Sequence, residues 1–174
     1  MEEALALLKS AIELEKDGYK FYIEAAKKST DPKGKAIFEQ LAKDEIGHEK
    51  ALVAEYESLH QTGQLIQHPQ TPLAKIYKVG DRPKIFSSDP EGKARIKPST
   101  TDLEALRIAM ANEKKAVEFF SQARDKSHDP LAKGLYSRLV AEEESHILLL
   151  EGEYDYLTNA GFWLGHQEFT MEHA

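Results

Sequence analysis

The sequence contains no cysteine. That excludes disulfides, cysteine-ligated zinc, iron–sulfur centres and thiol nucleophiles for this chain. His, Asp and Glu remain as the strong metal ligands, a set that suits iron, manganese or zinc. Positive charge is also in deficit. The formal net charge is −7, which argues against nucleic acid or an anionic membrane as a partner, because both require a basic surface. No apolar run approaches the roughly 20 residues of a membrane-spanning helix. The opening stretch MEEALALLKSAIELEK is amphipathic and acidic from its second residue, unlike a cleavable leader, so a cytoplasmic location is expected. Proline is scarce and unevenly placed. Of seven, five fall at Pro69, Pro72, Pro83, Pro90 and Pro98, and the other two at Pro32 and Pro130.

The most informative feature is an internal repeat. A shift of 98 residues lays 5–59 onto 103–157 without a gap, and 19 of the 55 aligned positions are identical. The matches include Glu15 with Glu113, Asp31-Pro32 with Asp129-Pro130, Glu45 with Glu143, His48 with His146, and Glu55-Tyr56 with Glu153-Tyr154. Shared composition alone does not produce an ungapped match of this length.

Each repeat reads as two helices. Asp-Pro is a helix start, with Asp as N-cap and Pro at the first helical position. Thr101 and Glu104 form a candidate capping box for the third helix, and Asn159-Ala160-Gly161 a stop for the fourth. The expected helices are about 2–29, 32–60, 102–127 and 130–159. Apolar residues recur at three- and four-residue spacing in all four: Leu8 and Ile12, Phe38 and Leu41, Leu106 and Met110, Leu139 and Leu150 lie on such stripes. The expected fold is all-α, a four-helix bundle of two helix hairpins forming a single domain. Residues 61–100 would be the crossover, prolined and basic, with seven Lys or Arg against three acids. Such a connection can run the length of the bundle or reach into a second copy, so a homodimer is expected, with or without exchange of the crossover. The tail 161–174, with Phe162, Trp163, Leu164 and Phe169, reads as an aromatic flap that packs on the bundle or serves a dimer interface, and His166 and Glu168 as bystanders.

Charge inside the stripes is the feature that points to chemistry. Glu15, Glu45, Glu113 and Glu143 interrupt the apolar seams of all four helices, and His48 and His146 follow one turn after two of them. Residues i and i+3 share a helix face. An inward charge is costly unless paired or metal-bound, and no seam offers Lys or Arg at this level. A lone Glu-x-x-His is a weak signal. Two copies, aligned by an independent repeat and each accompanied by a seam Glu from the preceding helix, are a strong one. Four carboxylates and two imidazoles converging at mid-bundle match the dimetal site of ferritin-like proteins, and four negative charges balance two divalent ions. Asp44 and Glu49 fall off the seam and read as solvated neighbours. Glu55 and Glu153 read as polar residues toward the bundle end or beside the site, and His60, His68, His128 and His173 as solvated.

The stretches LEKDGYKFY, LAKDEIGHEKAL, NEKKAVEFF and VAEEESHILLLEGEY resemble the helices of rubrerythrins, a branch of the ferritin-like diiron-carboxylate proteins. The resemblance covers both repeats. It implies two iron ions, with Glu15 and Glu113 as terminal ligands, Glu45 and Glu143 as bridges, and His48 and His146 each on one iron. It also places Tyr22 beside the site and makes Tyr22 and the four glutamates the catalytic set. Two departures stand out. Rubrerythrins typically carry a further Glu one turn after the third-helix ligand, where this chain has Ala116. They also carry a cysteine-ligated rubredoxin domain, so here electrons would come from a separate rubredoxin-like donor. The implied activity is reduction of hydrogen peroxide or O2. Ferroxidase or iron-storage activity, dimanganese chemistry, and a bundle merely stabilised by metal remain alternatives at this point.

Overall fold

The computed structural model describes residues 1–67 and 100–164. Four helices account for nearly all of them: α1 (Glu2–Lys28), α2 (Pro32–Thr62), α3 (Thr100–Lys126) and α4 (Pro130–Ala160). The architecture is an all-α four-helix bundle of two hairpins, α1 with α2 and α3 with α4. Asp31 and Asp129 cap α2 and α4 as the Asp-Pro pairs require. Asp31 Oδ1 accepts from Lys33 N at 2.7 Å, and Asp129 Oδ1 from Leu131 N at 2.7 Å. Gly63 and Gly161 end α2 and α4 at φ 72° and 80°, the left-handed conformation that only glycine adopts without steric cost. Helix α2 runs two residues past its expected end. Helix α3 begins at Thr100, so Thr101 lies inside the helix and the Thr101–Glu104 capping box is not its start. Two further helical residues, Thr100 and Thr101, at an end that the sequence marks only weakly account for the difference. Among the described residues no helix is long and apolar enough to cross a membrane.

The core divides into two apolar layers. One contains Leu8, Ile12, Leu52, Leu59, Phe120, Ala123, Leu135, Tyr136 and Leu139. The other contains Tyr22, Ala25, Phe38, Leu41, Leu106, Leu149, Leu157 and Trp163. The first layer joins the start of α1, the end of α2, the end of α3 and the start of α4. The second joins the opposite ends. Helix α3 therefore starts at the end of the bundle away from where α2 finishes, as a crossover demands. The tail turns back at Gly161, and Trp163 and Leu164 are buried in the second layer. The other tail and crossover residues singled out in the sequence, His68, His166, Glu168, Phe169 and His173 among them, lie outside the described residues.

Both turns after α2 and α4 are held by the same device. Glu55 Oε2 accepts from Ile66 N at 3.0 Å, and Glu153 Oε2 accepts from Leu164 N at 3.0 Å. Glu55 and Glu153 are thus end-of-bundle residues. Each is buried two turns beyond a histidine and satisfies a backbone N–H that would otherwise be left without a partner.

Candidate metal centre

Between the two apolar layers lies a polar one. Glu15, Glu45, His48, Glu113, Glu143 and His146 are all buried, and the two histidines have no exposed surface. The 3.6-residue period explains the arrangement. The polar residues occupy the core-facing positions of the fourth turn of each helix, and of the fifth for the two histidines, where the seams of all four helices meet. The six form two overlapping groups. Glu15, Glu45, His48 and Glu143 each bring one ligand atom within 4.8 Å of the others, and so do Glu45, Glu113, Glu143 and His146. Glu45 and Glu143 belong to both. The structure therefore brings together every residue that the sequence singled out for the cluster.

The histidines turn the same ring edge toward this cluster. His48 Nδ1 lies 3.1 Å from Glu15 Oε2 and 3.1 Å from Glu143 Oε1. His146 Nδ1 lies 3.0 Å from Glu143 Oε2, 3.7 Å from Glu113 Oε1 and 3.8 Å from Glu45 Oε1. The rings stack with centroids 5.7 Å apart and planes 25° apart. The far edge of each ring faces a further acid. His48 Nε2 is 3.1 Å from Glu142 Oε2, and His146 Nε2 is 3.6 Å from Asp44 Oδ2. Glu142, at hydrogen-bond distance, fixes a proton at Nε2 of His48 and leaves Nδ1 to face the cluster, whereas Asp44 lies beyond hydrogen-bond reach of His146 Nε2 and acts on it through charge alone.

Asp44 corrects the sequence reading. It is 5% exposed and belongs beside the site, whereas Glu49 is only half-buried. Glu142 was missed altogether. Helix α2 is covered on two sides, by α1 of its own hairpin and by α4 of the other, so its buried face is wider than the seam and takes in the residue before Glu45. The repeat held the signal, because the shift places acidic Asp44 on acidic Glu142.

Tyr22 is buried and donates a short hydrogen bond from its hydroxyl to Glu113 Oε1. The repeat puts Phe120 in the corresponding place, so Glu15 has no tyrosine from that position. Gly18 permits another close approach. A Cβ there would lie 2.7 Å from Glu45 Oε2, so glycine lets the α1 backbone lie against this carboxylate. A cavity of about 160 Å³ reaches the cluster between α1 and α3. Gly18, Asn112 and Ala116 line its wall, with Glu15, Glu45 and Glu113 at its inner side. Ala116, where a further ligand carboxylate would stand in typical rubrerythrins, here contributes only a methyl group to that wall.

Without metal the electrostatics are strained. Burial raises the Glu45 carboxyl well above its ordinary range, and the Glu15, Glu143 and Glu113 charges add to this. Burial, reinforced by Glu143, pushes Glu113 up to about 7. Burial opposes ionisation of Glu143 too, but His48 and His146 outweigh it and hold this carboxyl well below the ordinary value. Burial would depress both histidines, yet the surrounding acids raise them well above the usual imidazole range. Burial, then Glu113, raises the Tyr22 phenol, keeping it protonated as a donor. Protons thus stand in for cations. Glu143 Oε1 is buried, and the His48 Nδ1 that lies 3.1 Å from it is not aligned for a hydrogen bond, as expected of an oxygen placed for a cation rather than a donor. Buried carboxylate oxygens with two imidazole nitrogens form a donor set that fits iron, manganese or zinc.

Comparison with known proteins agrees with this geometry. The rubrerythrin family model matches residues 6–154. A solved structure of a hypothetical protein from Pyrococcus furiosus superposes with a TM-score of 0.66 at 25% identity, covering 92% of this chain and 93% of that one. No curated protein matches the chain. With the family model spanning both hairpins and all six residues of the polar layer, the chain belongs to the rubrerythrin family of ferritin-like, diiron-carboxylate proteins.

Proposed function

We propose that the protein is a non-haem diiron oxidoreductase that reduces hydrogen peroxide, or O2, at the polar layer. The observation that carries this reading is the pair of overlapping four-residue groups sharing Glu45 and Glu143. In this assignment Glu15 and His48 hold one ion, Glu113 and His146 the other, and Glu45 and Glu143 serve both. Two bound ferrous ions would supply one electron each, the two that peroxide needs to become two waters when two protons are taken up.

The chain's own residues supply position and access. Glu142 keeps the proton at Nε2 of His48 and so presents its Nδ1, and the Asp44 charge on the far side of His146 favours the same orientation of that ring. Tyr22 holds Glu113 in place through its hydroxyl. The cavity between α1 and α3 has room for a molecule the size of peroxide or O2 beside the cluster. With no cysteine in the sequence, this bundle holds no rubredoxin-type iron, and the electrons that restore the ferrous state come from a rubredoxin-like donor outside it. A cytoplasmic homodimer belongs to the same proposal.

Metal analysis combined with stopped-flow spectroscopy tests it. The purified protein should bind two metal ions per chain, and peroxide added to the anaerobic ferrous form should oxidise it rapidly, repeatedly so when a reductant is present. Metal that stays reduced would leave the ions a structural role. Oxidation by O2 with release of ferric iron, in a particle of many subunits by light scattering, would favour ferroxidase and storage instead.

A further inference from the structure

The two repeats build the same aromatic ladder at the two ends of the bundle. Tyr22 stacks on Phe38 at 6.3 Å and 26°, and its counterpart Phe120 stacks on Tyr136 at 6.3 Å and 22°. Phe21 meets Tyr22 edge-on at 5.4 Å, as Phe119 meets Phe120 at 5.3 Å. The ladders then diverge. After α4, the Trp163 indole packs edge-on against Phe38 at 5.5 Å and lies over Gly34, where a Cβ would come within 2.4 Å of it. After α2, the 98-residue shift puts Leu65 in the place of Trp163, Ala132 in that of Gly34 and Tyr136 in that of Phe38. Leu65 is only half-buried, and an open cleft of about 520 Å³ lies against it.

This cleft is more than a poorly packed corner. A packing defect would be expected to be lined by apolar groups throughout. Here Leu8, Leu65, Ala132 and Leu135 share the lining with Tyr136 and Glu55, both buried. Burial and the nearby Glu55 carboxylate push the Tyr136 phenol up to about 12. Replacing the pair Trp163 and Phe38 by Leu65 and Tyr136 therefore adds both space and a hydroxyl beside a carboxylate. Apolar walls with a few convergent polar groups, in a volume within the roughly 300–1,000 Å³ range of small-molecule sites, characterise a ligand pocket.

We infer that this end of the bundle is a binding site for a planar aromatic molecule of about indole size carrying an N–H or O–H donor. Its ring would lie against Tyr136 as the Trp163 indole lies against Phe38, set further out than that indole because Ala132 carries the methyl group that Gly34 lacks. Its donor would face the Glu55 and Tyr136 oxygens. The site lies in the apolar layer beyond the polar cluster and does not depend on the metal reading.

Calorimetric titration of the full chain with indole tests this, on metal-loaded and metal-stripped protein alike. One indole per chain should bind, with a dissociation constant on the order of 0.1 mM for so small a ligand. The double variant Leu65→Trp/Ala132→Gly transplants the filled end and should weaken indole binding by about tenfold or more. Tyr136→Phe, a milder change that keeps the stack with Phe120, should weaken it about threefold to tenfold. No uptake of indole would overturn the proposal and leave the cleft to a second copy or another part of this chain. So would binding that neither variant alters, because the ligand would then sit elsewhere.

Discussion

The two halves of the molecule are near-copies in their scaffolding and differ at a few positions with chemical consequences. The copying reaches fine detail. Lys9 lies over the Tyr56 ring at 5.4 Å, and its counterpart Arg107 over the Tyr154 ring at 5.3 Å. The Glu55 and Glu153 tethers match to 3.0 Å each. Under the proposed assignment such duplication would build a two-ion site economically, since each hairpin supplies two glutamates and one histidine to the overlapping groups. The differences, Tyr22 against Phe120 and Trp163 against Leu65, fall outside this ligand set. One changes what touches a cluster carboxylate, and the other changes what fills the bundle end. The duplicated frame is where the halves must agree, and the positions around it are where they can specialise.

The comparison breaks most completely at the shared carboxylates. Glu45→Ala and Glu143→Ala should each remove both ions rather than one, because each residue belongs to both groups. Elemental analysis should fall from two metals per chain toward none for either variant, with at least a hundredfold loss in affinity, since more than an outer partner is removed. A variant that keeps one tightly bound ion would show that the halves hold their metals independently.

Next in size is the bundle end. Trp163→Leu makes the filled end resemble the open one and should cost about 2–4 kcal/mol by chemical denaturation, because Gly34 supplies no side chain to collapse into the space. Metal content should be unchanged.

A smaller effect follows from protons standing in for cations. In metal-stripped protein Glu113 has a folded pKa of about 7, above the roughly 4.3 of an unfolded glutamate. The folded state then binds more protons than the unfolded one, so this group's contribution is fully present below the unfolded value and is lost as pH rises through 7. Glu45, His48 and His146, also raised, act in the same direction. Glu143 acts oppositely, but only at acid pH. The melting temperature of stripped protein should therefore fall from pH 6 to pH 8, whereas metal-loaded protein should hold steady.

Much of this was legible in the sequence because the repeat supplied an internal control. Asp-Pro marked both second helices, and the 3,4 stripes marked four inward faces. A weak Glu-x-x-His became convincing when the shift reproduced it. Asp44 was not legible as part of the site. A seam is a line, whereas the buried face of a helix packed on two sides is a band, and only the position of α4 shows that Asp44 meets His146. The Trp163 seat was half legible. Burial of the aromatic tail was expected, but its partner Gly34 and its counterpart cleft depend on where the chain returns after Gly161.

The residues behind the histidines test whether the two halves present their rings equally. Glu142→Gln and Asp44→Asn remove the acids at Nε2 of His48 and His146 and should each weaken metal binding about tenfold. His48 Nε2 sits 3.1 Å from its acid and His146 Nε2 3.6 Å from its own. Glu142→Gln should accordingly have the larger effect, read as the difference between the two stepwise affinities in a competitive chelator titration.

The smallest effect belongs to the asymmetry at Tyr22 and Phe120. Tyr22→Phe gives both hairpins a phenylalanine at this position and removes the hydroxyl donor to Glu113 without removing the ring that packs on Phe38. The loss should be about 1–2 kcal/mol, the scale of a buried hydrogen bond to a charged group, seen in denaturation of metal-loaded protein with two ions still bound. A further readout separates positioning from packing. If Tyr22 orients Glu113, the affinity of the ion served by Glu113 and His146 should drop while that of its neighbour stays, and the two sites should move apart in titration. If the hydroxyl only satisfies burial, both affinities should stay where they are while stability alone falls. Phe120→Tyr is the reciprocal change, offering Glu15 the donor it lacks from that position, and it should narrow whatever gap Tyr22 creates between the two ions.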